Sequence, residues 1–267
     1  MLQIWILPHW VQIIQTRLSD TRQYLKKGNV YIGTSGWHYR HWIGPFYPED
    51  TRSEEQLDLY IRYFKTVEVN NSFYKLPSVE TFEKWRKAVP GDFLFSVKAS
   101  RFITHLKKLK VDKASVHEFL SRAEKLKHHL GPVLFQLPPN WKLNTDVLEA
   151  FLKKLPEHYR YTFEFRNATW YTTEVYQLLE DANCAFCIYE LDGHMSPMEV
   201  TADFVYIRLH GPGAKYQGSY STAVLKQWRI RIAKWRDAGK DVYVYFDNDE
   251  AGYAAHNALK LAGLLDN

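Results

Sequence analysis

The sequence predicts an α/β fold of the (β/α)8, TIM-like barrel class, a single domain behind a short N-terminal extension, and three observations carry that prediction. Eight short runs rich in β-branched and aromatic residues recur from residue 30 onward. Amphipathic stretches of helical period separate most of them, as repeated βα units around a parallel sheet require. Seven of the runs place charged or amide side chains on one alternating face near the C-terminal end. The Gly-x-Gly-x-x-Gly turn of a doubly wound dinucleotide-binding sheet is missing after the first run, which disfavours that alternative.

Taken in order, residues 1–29 form the extension and residues 30–267 the barrel. The opening MLQIWILPHWVQII is apolar but lacks a basic start and a small-residue cleavage pattern, and Pro8 and His9 break it, so it does not read as a secretion signal. Strands are expected near 30–36, 66–72, 93–99, 132–137, 160–166, 184–190, 204–210 and 241–247. Between them lie SEEQLDLYIRYF, VETFEKWRKAV, a Lys/His-bearing run near 113–128, TDVLEAFLKKL, TEVYQLLEDA, VLKQWRIRIAKWRDAG and, last, AAHNALKLAGLL. The sixth connection, LDGHMSPMEVTAD, has no helical period and is expected to lack a helix. His128 and His129 fall at the end of a helix-like stretch and read as helix-end or surface residues.

The bulk numbers narrow the function classes. At 267 residues with 46% hydrophobic and 24% charged residues, the chain is globular rather than disordered or fibrous. A net charge of +5 is too small to establish nucleic-acid binding. No run reaches the roughly 18 apolar residues of a membrane span, so no membrane partner is expected. Cys184 and Cys187 are the two cysteines, too few for a disulfide framework, which points to a reducing, cytoplasmic setting; in a strand their spacing puts them on opposite faces, where they do not readily share a metal or close a disulfide.

In such strands Val67/Val69, Phe93/Phe95/Val97, Phe163/Phe165, Val205/Ile207/Leu209 and Val242/Val244/Phe246 pack toward the helices. The opposite face then carries Glu68 and Asn70, Lys98, Gln136, Glu164 and Arg166, Glu190, Arg208 and His210, and Asp247. Burying so many polar groups costs several kcal/mol each unless they are paired or face a ligand, so a site is expected where they gather. In a barrel that place is the C-terminal mouth. The loops there, such as GWHYRHWIGPFYPE, NNSFYKLP and HGPGAKYQGSY, mix aromatics, prolines and glycines with a few polar groups, a lining suited to a ligand pocket.

At these loops the chain resembles the domain of unknown function 72 family, through IGTSGW with WIGPFYP, VEVNNSFYKLP, KASRFITH, LFQLPP, EFRNATW, YIRLHG and VYFDND in order. The resemblance runs over residues 31 to 264 and implies a TIM-like barrel with its mouth formed by these segments; it supplies no substrate. Two positions depart from it: Asn167 stands where a His is expected after Phe-Arg, and Asp247 where an Asn is usual.

The chemistry expected at the mouth is acid/base work on a small anionic substrate, phosphorylated or sugar-containing, which makes the chain a candidate hydrolase. Glu68, Glu164 and His210 form the expected catalytic group, because carboxylate and imidazole carry protons near neutrality. Lys98, Arg166 and Arg208 are the anion binders. Trp37, Asn70, Tyr74, His105, Gln136, Tyr216 and Asn248 complete the expected substrate contacts, His105 as a further proton carrier. The glycines of 211–218 lie where many barrels bind phosphate through backbone N–H groups, or simply make tight turns. Glu68, Glu164, Asp247 and His210 also suit a divalent ion, but three cations at the same rim oppose it and no metal-ligand motif appears, so no metal ligand and no cofactor is assigned. A glycosidase pair of carboxylates is a further reading.

Two other classes stand beside the enzyme. The run from Lys98 to Lys113, with Arg101, Lys107, Lys108 and Lys110 interleaved with Phe102, could track a nucleic-acid backbone while Trp37, Trp42, Phe73 or Tyr74 stack bases, as in a nuclease-like barrel with or without metal. A noncatalytic ligand-binding protein would use the same pocket. Oligomeric state is not legible.

Overall fold

A computed structural model describes residues 26–266, so residues 1–25 of the expected extension lie outside the described residues. All eight expected strands form: β1 (Val30–Thr34), β2 (Thr66–Val69), β3 (Leu94–Lys98), β4 (Leu130–Leu137), β5 (Tyr161–Phe165), β6 (Ala185–Leu191), β7 (Phe204–Leu209) and β8 (Asp241–Phe246). They are parallel and follow chain order around the sheet, and β1 returns to pair with β8 from Val30–Val242 to Thr34–Phe246. Several expected strands overrun their ends; residues 71–72, for example, already belong to a helix.

Closure at the β1–β2 seam rests on few groups. A single bridge joins Ser35 to Glu68, with Gly36 N donating to Glu68 O at 2.8 Å. Beside it the Tyr60 hydroxyl accepts from Thr34 N (3.0 Å) and donates to Thr66 O (3.0 Å), standing in for ladder bonds the strands do not make. Gly33 permits this approach, since a Cβ there would lie 2.2 Å from Thr66 O.

Helices α1 (Gln56–Tyr60), α2 (Asn71–Tyr74), α3 (Val79–Lys87), α4 (Lys113–Ala123), α5 (Thr145–Leu152), α6 (Thr173–Asp181), α7 (Thr222–Asp237) and α8 (Tyr253–Asp266) fill the connections. Ser78, Asp112, Asn144, Thr172 and Ser221 cap α3 to α7 by accepting from a first-turn backbone N–H. The sixth connection has no helix, as its sequence indicates. Instead His194–Met195 doubles back antiparallel on Glu190–Leu191, and hydroxyls of Ser196 and Thr201 accept from Tyr189 N and Phe186 N of β6.

The helix-facing residues Val67, Val97, Phe135, Phe163, Ile207 and Val244 are fully buried in the main core. The lower lumen is closed by a second cluster that includes Leu134, Tyr206 and Tyr245, with the Tyr245 hydroxyl bonded to Thr66 Oγ1 (2.7 Å) and Ser96 Oγ (2.8 Å). Polar groups therefore begin inside the barrel and rise toward its mouth. Cys184 and Cys187 are both buried free thiols, and only Cys187 reaches the lumen cluster. His129 ends a short 3-10 helix but is buried, with Nδ1 2.7 Å from Phe93 O, whereas His128 is exposed. No helix among the described residues is long and apolar enough to cross a membrane.

Candidate functional site at the barrel mouth

Alternation along β2, β5 and β7 brings Glu68, Glu164 and Arg208 into one layer of the lumen, and all three are buried. Arg208 donates to Glu68 Oε1 from Nε (3.1 Å) and Nη2 (2.7 Å), and to Glu164 Oε2 from Nη1 (2.8 Å). Nη2 also reaches Asp247 Oδ2 (3.2 Å) and Ser35 Oγ (3.4 Å). Glu68 accepts in addition from Ser35 Oγ and from Tyr206 Oη, each at 2.6 Å. Every donor nitrogen of this guanidinium is thus used inside the protein. Burial alone would raise the Glu164 carboxyl, but Arg166 and Arg208, with Lys98 beyond them, outweigh it and hold it well below the usual carboxylate range. Glu164 is a fixed anion.

The next layer is less saturated. Arg166 donates from Nε to Glu164 Oε1 and approaches His210 Nε2 with Nη2 at 3.0 Å, leaving Nη1 without a partner among the described residues. Its guanidinium lies 4.7 Å from the Tyr189 ring centre. Because arginine only donates, His210 Nε2 must accept, which puts the ring proton on Nδ1. That nitrogen lies 2.9 Å from Asp247 Oδ2, although not aligned for a hydrogen bond. Burial, then Arg208 and Arg166, pushes the imidazole well below its ordinary value, so His210 rests neutral. Burial raises the Asp247 carboxyl against the opposing pull of Arg208, Lys98 and Arg166.

Lys98 stands apart. Its ammonium sits 4.6 Å from the Phe73 ring centre and makes no ion pair or hydrogen bond among the described residues. Burial, reinforced by Arg208, brings it down to about 8 despite Glu164, Glu68 and Asp247. His105, edge-on to Phe73 at 4.8 Å, is lowered to about 4 by burial, Lys98 and Arg101, and is neutral at pH 7.

The remaining expected residues distribute around this centre. Gln136 pairs in register with Glu164, so its amide shares that face. Trp37, Asn70 and Tyr74 instead line a neighbouring cavity of ≈ 750 Å³, where Trp37 packs edge-on against Trp85 and Asn70 Oδ1 is buried without a partner. The Tyr216 ring stands 5.5 Å from His210. Asn248 faces away from Asp247 and spends its amide on Gly218 O (2.7 Å) and Asn257 Oδ1 (2.9 Å). Glu190 pairs with helix-facing Leu209 and so points out of the lumen, where Cys187 and Tyr189 take the alternate positions. Gly211, with φ +118°, folds the 211–218 loop back on itself, and the N–H groups of Gly211, Tyr216, Gln217 and Gly218 are all bonded within the protein. Those four offer no phosphate cradle.

Sequence reasoning weighed Asp247 as a metal ligand or one of a glycosidase pair of carboxylates, outside the expected catalytic group, and missed Ser35 and Tyr206. Extending the alternation of β1 by one residue, and of β7 back by two, would have found both. The four groups suited to a metal do converge, but on the Arg208 guanidinium, and no trio of His, Cys, Asp or Glu among the described residues is arranged to hold an ion.

A family model described as "Protein of unknown function DUF72" matches residues 31–267. The UPF0759 protein YunF of Bacillus subtilis is 28% identical, across 89% of this chain and 95% of its own. The crystal structure of a DUF72 family protein from Thermotoga maritima superposes with a TM-score of 0.82 at 30% identity, over 90% of this chain and 100% of that one. One from Enterococcus faecalis gives 0.77 at 20% identity, over 89% and 96%, and so shares the fold.

Proposed function

This chain belongs to the DUF72 family, and on that premise we propose that it is an enzyme performing acid/base chemistry on a small anionic substrate, phosphorylated or sugar-containing, at the C-terminal mouth of its barrel. One observation carries the reading. Of three cations gathered there, Arg208 is consumed by Glu68, Glu164 and Asp247 and Arg166 pairs with Glu164 through Nε, while Lys98 and Arg166 Nη1 have no partner among the described residues. Cations held in that condition suit an incoming anion.

The division of labour follows from which groups are free. Lys98 and Arg166 receive the anion, and Gln136 orients it from the same face. Asp247 and His210 carry the proton, because Asp247 Oδ1 has no hydrogen bond among the described residues and its carboxyl is raised toward neutrality. Glu68 and Glu164, expected from sequence to share the acid/base work, serve this reading as the anchors of Arg208. The test is turnover on a panel of phosphomonoesters, phosphodiesters and glycosides. Asp247→Asn and His210→Ala should each lower it on the order of 10²-fold or more; a substrate turned over equally by both variants rejects the assignment.

A nucleic-acid-binding barrel is the second reading, supported by exposed Tyr74 and Phe102 next to the basic 101–110 segment. Single-stranded DNA binding that weakens steeply with salt would favour it over the first.

A further inference from the structure

We propose that Lys98 is an amine nucleophile, and that the substrate class of this mouth is an anionic carbonyl compound, an aldehyde or ketone bearing a phosphate or carboxylate, held as an imine on Nζ. The inference deepens the proposed function and rests on its anion site. Its basis is a pairing pattern. Three carboxylates lie in the same cluster as Lys98, and each is turned elsewhere: Glu68 to Arg208, Ser35 and Tyr206, Glu164 to Arg166 and Arg208, and Asp247 to Arg208 and His210. A lysine whose task were to balance charge would hold one of them. Instead Nζ rests over the ring of Phe73, partly buried at the end of β3, with Arg208 on β7 as its neighbouring cation and Glu164, Glu68 and Asp247 as neighbouring carboxylates that it does not pair with. The ring face favours the ammonium, but burial with a guanidinium close by outweighs it and leaves an unpaired amine within reach of deprotonation.

The step balances without a further reactant. The Nζ lone pair attacks the carbonyl carbon, a C–N bond forms, and the Asp247 carboxylate relays one proton from Nζ to the oxygen to give a carbinolamine. The same carboxylate relays the remaining Nζ proton to the hydroxyl, which departs as water while the nitrogen lone pair closes C=N. Arg166 Nη1 is placed for the phosphate or carboxylate of the same molecule. The groups acting on Nζ that titrate or carry charge are Glu68 on β2, Glu164 on β5, Arg208 on β7, His210 just after it, Asp247 just after β8 and His105 after β3, with Arg166 next in the cluster through its pair with Glu164. With Lys98 near 8, the amine is about half free at pH 8, on the order of 100-fold more than an ordinary lysine.

The full-length chain is incubated at pH 8 with glyoxylate, with dihydroxyacetone phosphate and with neutral propanal, each with sodium borohydride, and the adducts are mapped by peptide mass spectrometry. Borohydride delivers hydride to the imine carbon and leaves a stable secondary amine. The two anionic probes should label the Lys98 peptide at least tenfold faster than any other lysine peptide, and labelling should rise with pH through about 8. Propanal should show no such preference. Lys98→Arg, which keeps the cation and removes the nucleophile, should lose the adduct yet still bind inorganic phosphate. Adducts spread evenly over the lysines, an adduct that survives in Lys98→Arg, or equal selectivity with propanal overturns the inference. Phosphate bound by the wild type without any Lys98 adduct overturns the imine alone, whereas failure to bind either anionic probe or phosphate overturns the anion site beneath it.

Discussion

Replacing Lys98 with methionine should stabilise the protein at neutral pH, and the size of the gain follows from the side chain's surroundings. A lysine brought from 10.5 to about 8 by folding is less favourably charged inside than in the unfolded chain by about 3 kcal/mol. Partial exposure lets solvent screen some of this, so a gain of about 1–3 kcal/mol is expected from Lys98→Met. Methionine keeps a flexible apolar stem against Phe73 and brings no charge. The sign reverses nothing else: below pH 8 the ammonium is present in both states and its cost is full. Between 8 and 10.5 the unfolded chain binds a proton that the native chain does not, so the wild type gains stability on the variant. Above 10.5 the difference is gone. Urea unfolding of both proteins at pH 7 and pH 10.5 reads this directly, with the advantage of the variant shrinking between the two. A variant less stable than wild type at pH 7, or an advantage that does not change with pH, would refute the picture of an unneutralised cation.

Arg208→Met should cost about 3–5 kcal/mol in the same assay, since it leaves buried Glu68 and Glu164 without the guanidinium that both carboxylates share. Tyr60→Phe should cost about 1–3 kcal/mol, because Thr34 N loses its acceptor at the seam between β1 and β2; a neutral substitution would show that the seam closes without that hydroxyl. Anion affinity should fall as pH rises through about 8, where Lys98 loses its proton, and equilibrium titration at pH 7 and pH 9 checks the direction. Asp247→Asn should weaken turnover far more than anion binding, which separates a proton carrier from a charge partner.

The barrel was legible because its signals are local and repeat. Period-2 runs such as VYVYF, amphipathic stretches such as TDVLEAFLKKL, and the aperiodic LDGHMSPMEVTAD each reported their own segment correctly. The gathering of Glu68, Glu164, Arg166, Arg208 and His210 at one end also followed, since parallel strands of similar length bring equivalent positions into common layers. What alternation could not supply was pairing. Whether an arginine is free or spent depends on angles between strands far apart in sequence, so Arg208 and Lys98 looked alike until their partners were known. Glu190 and Asn248 illustrate a second limit. A one-residue error in phase at a strand end sends a side chain to the opposite face, where Asn248 secures the 211–218 loop rather than facing the mouth.

If the Lys98 ammonium and Arg166 Nη1 wait unpaired at the mouth, calorimetric titration with inorganic phosphate at pH 7 reads it without a substrate in hand. One saturable site per chain is expected, weakened roughly 10- to 100-fold by Lys98→Met and by Arg166→Gln, the loss of one charge-assisted contact each. Absence of saturable binding, or a wild-type affinity retained in both variants, would contradict it.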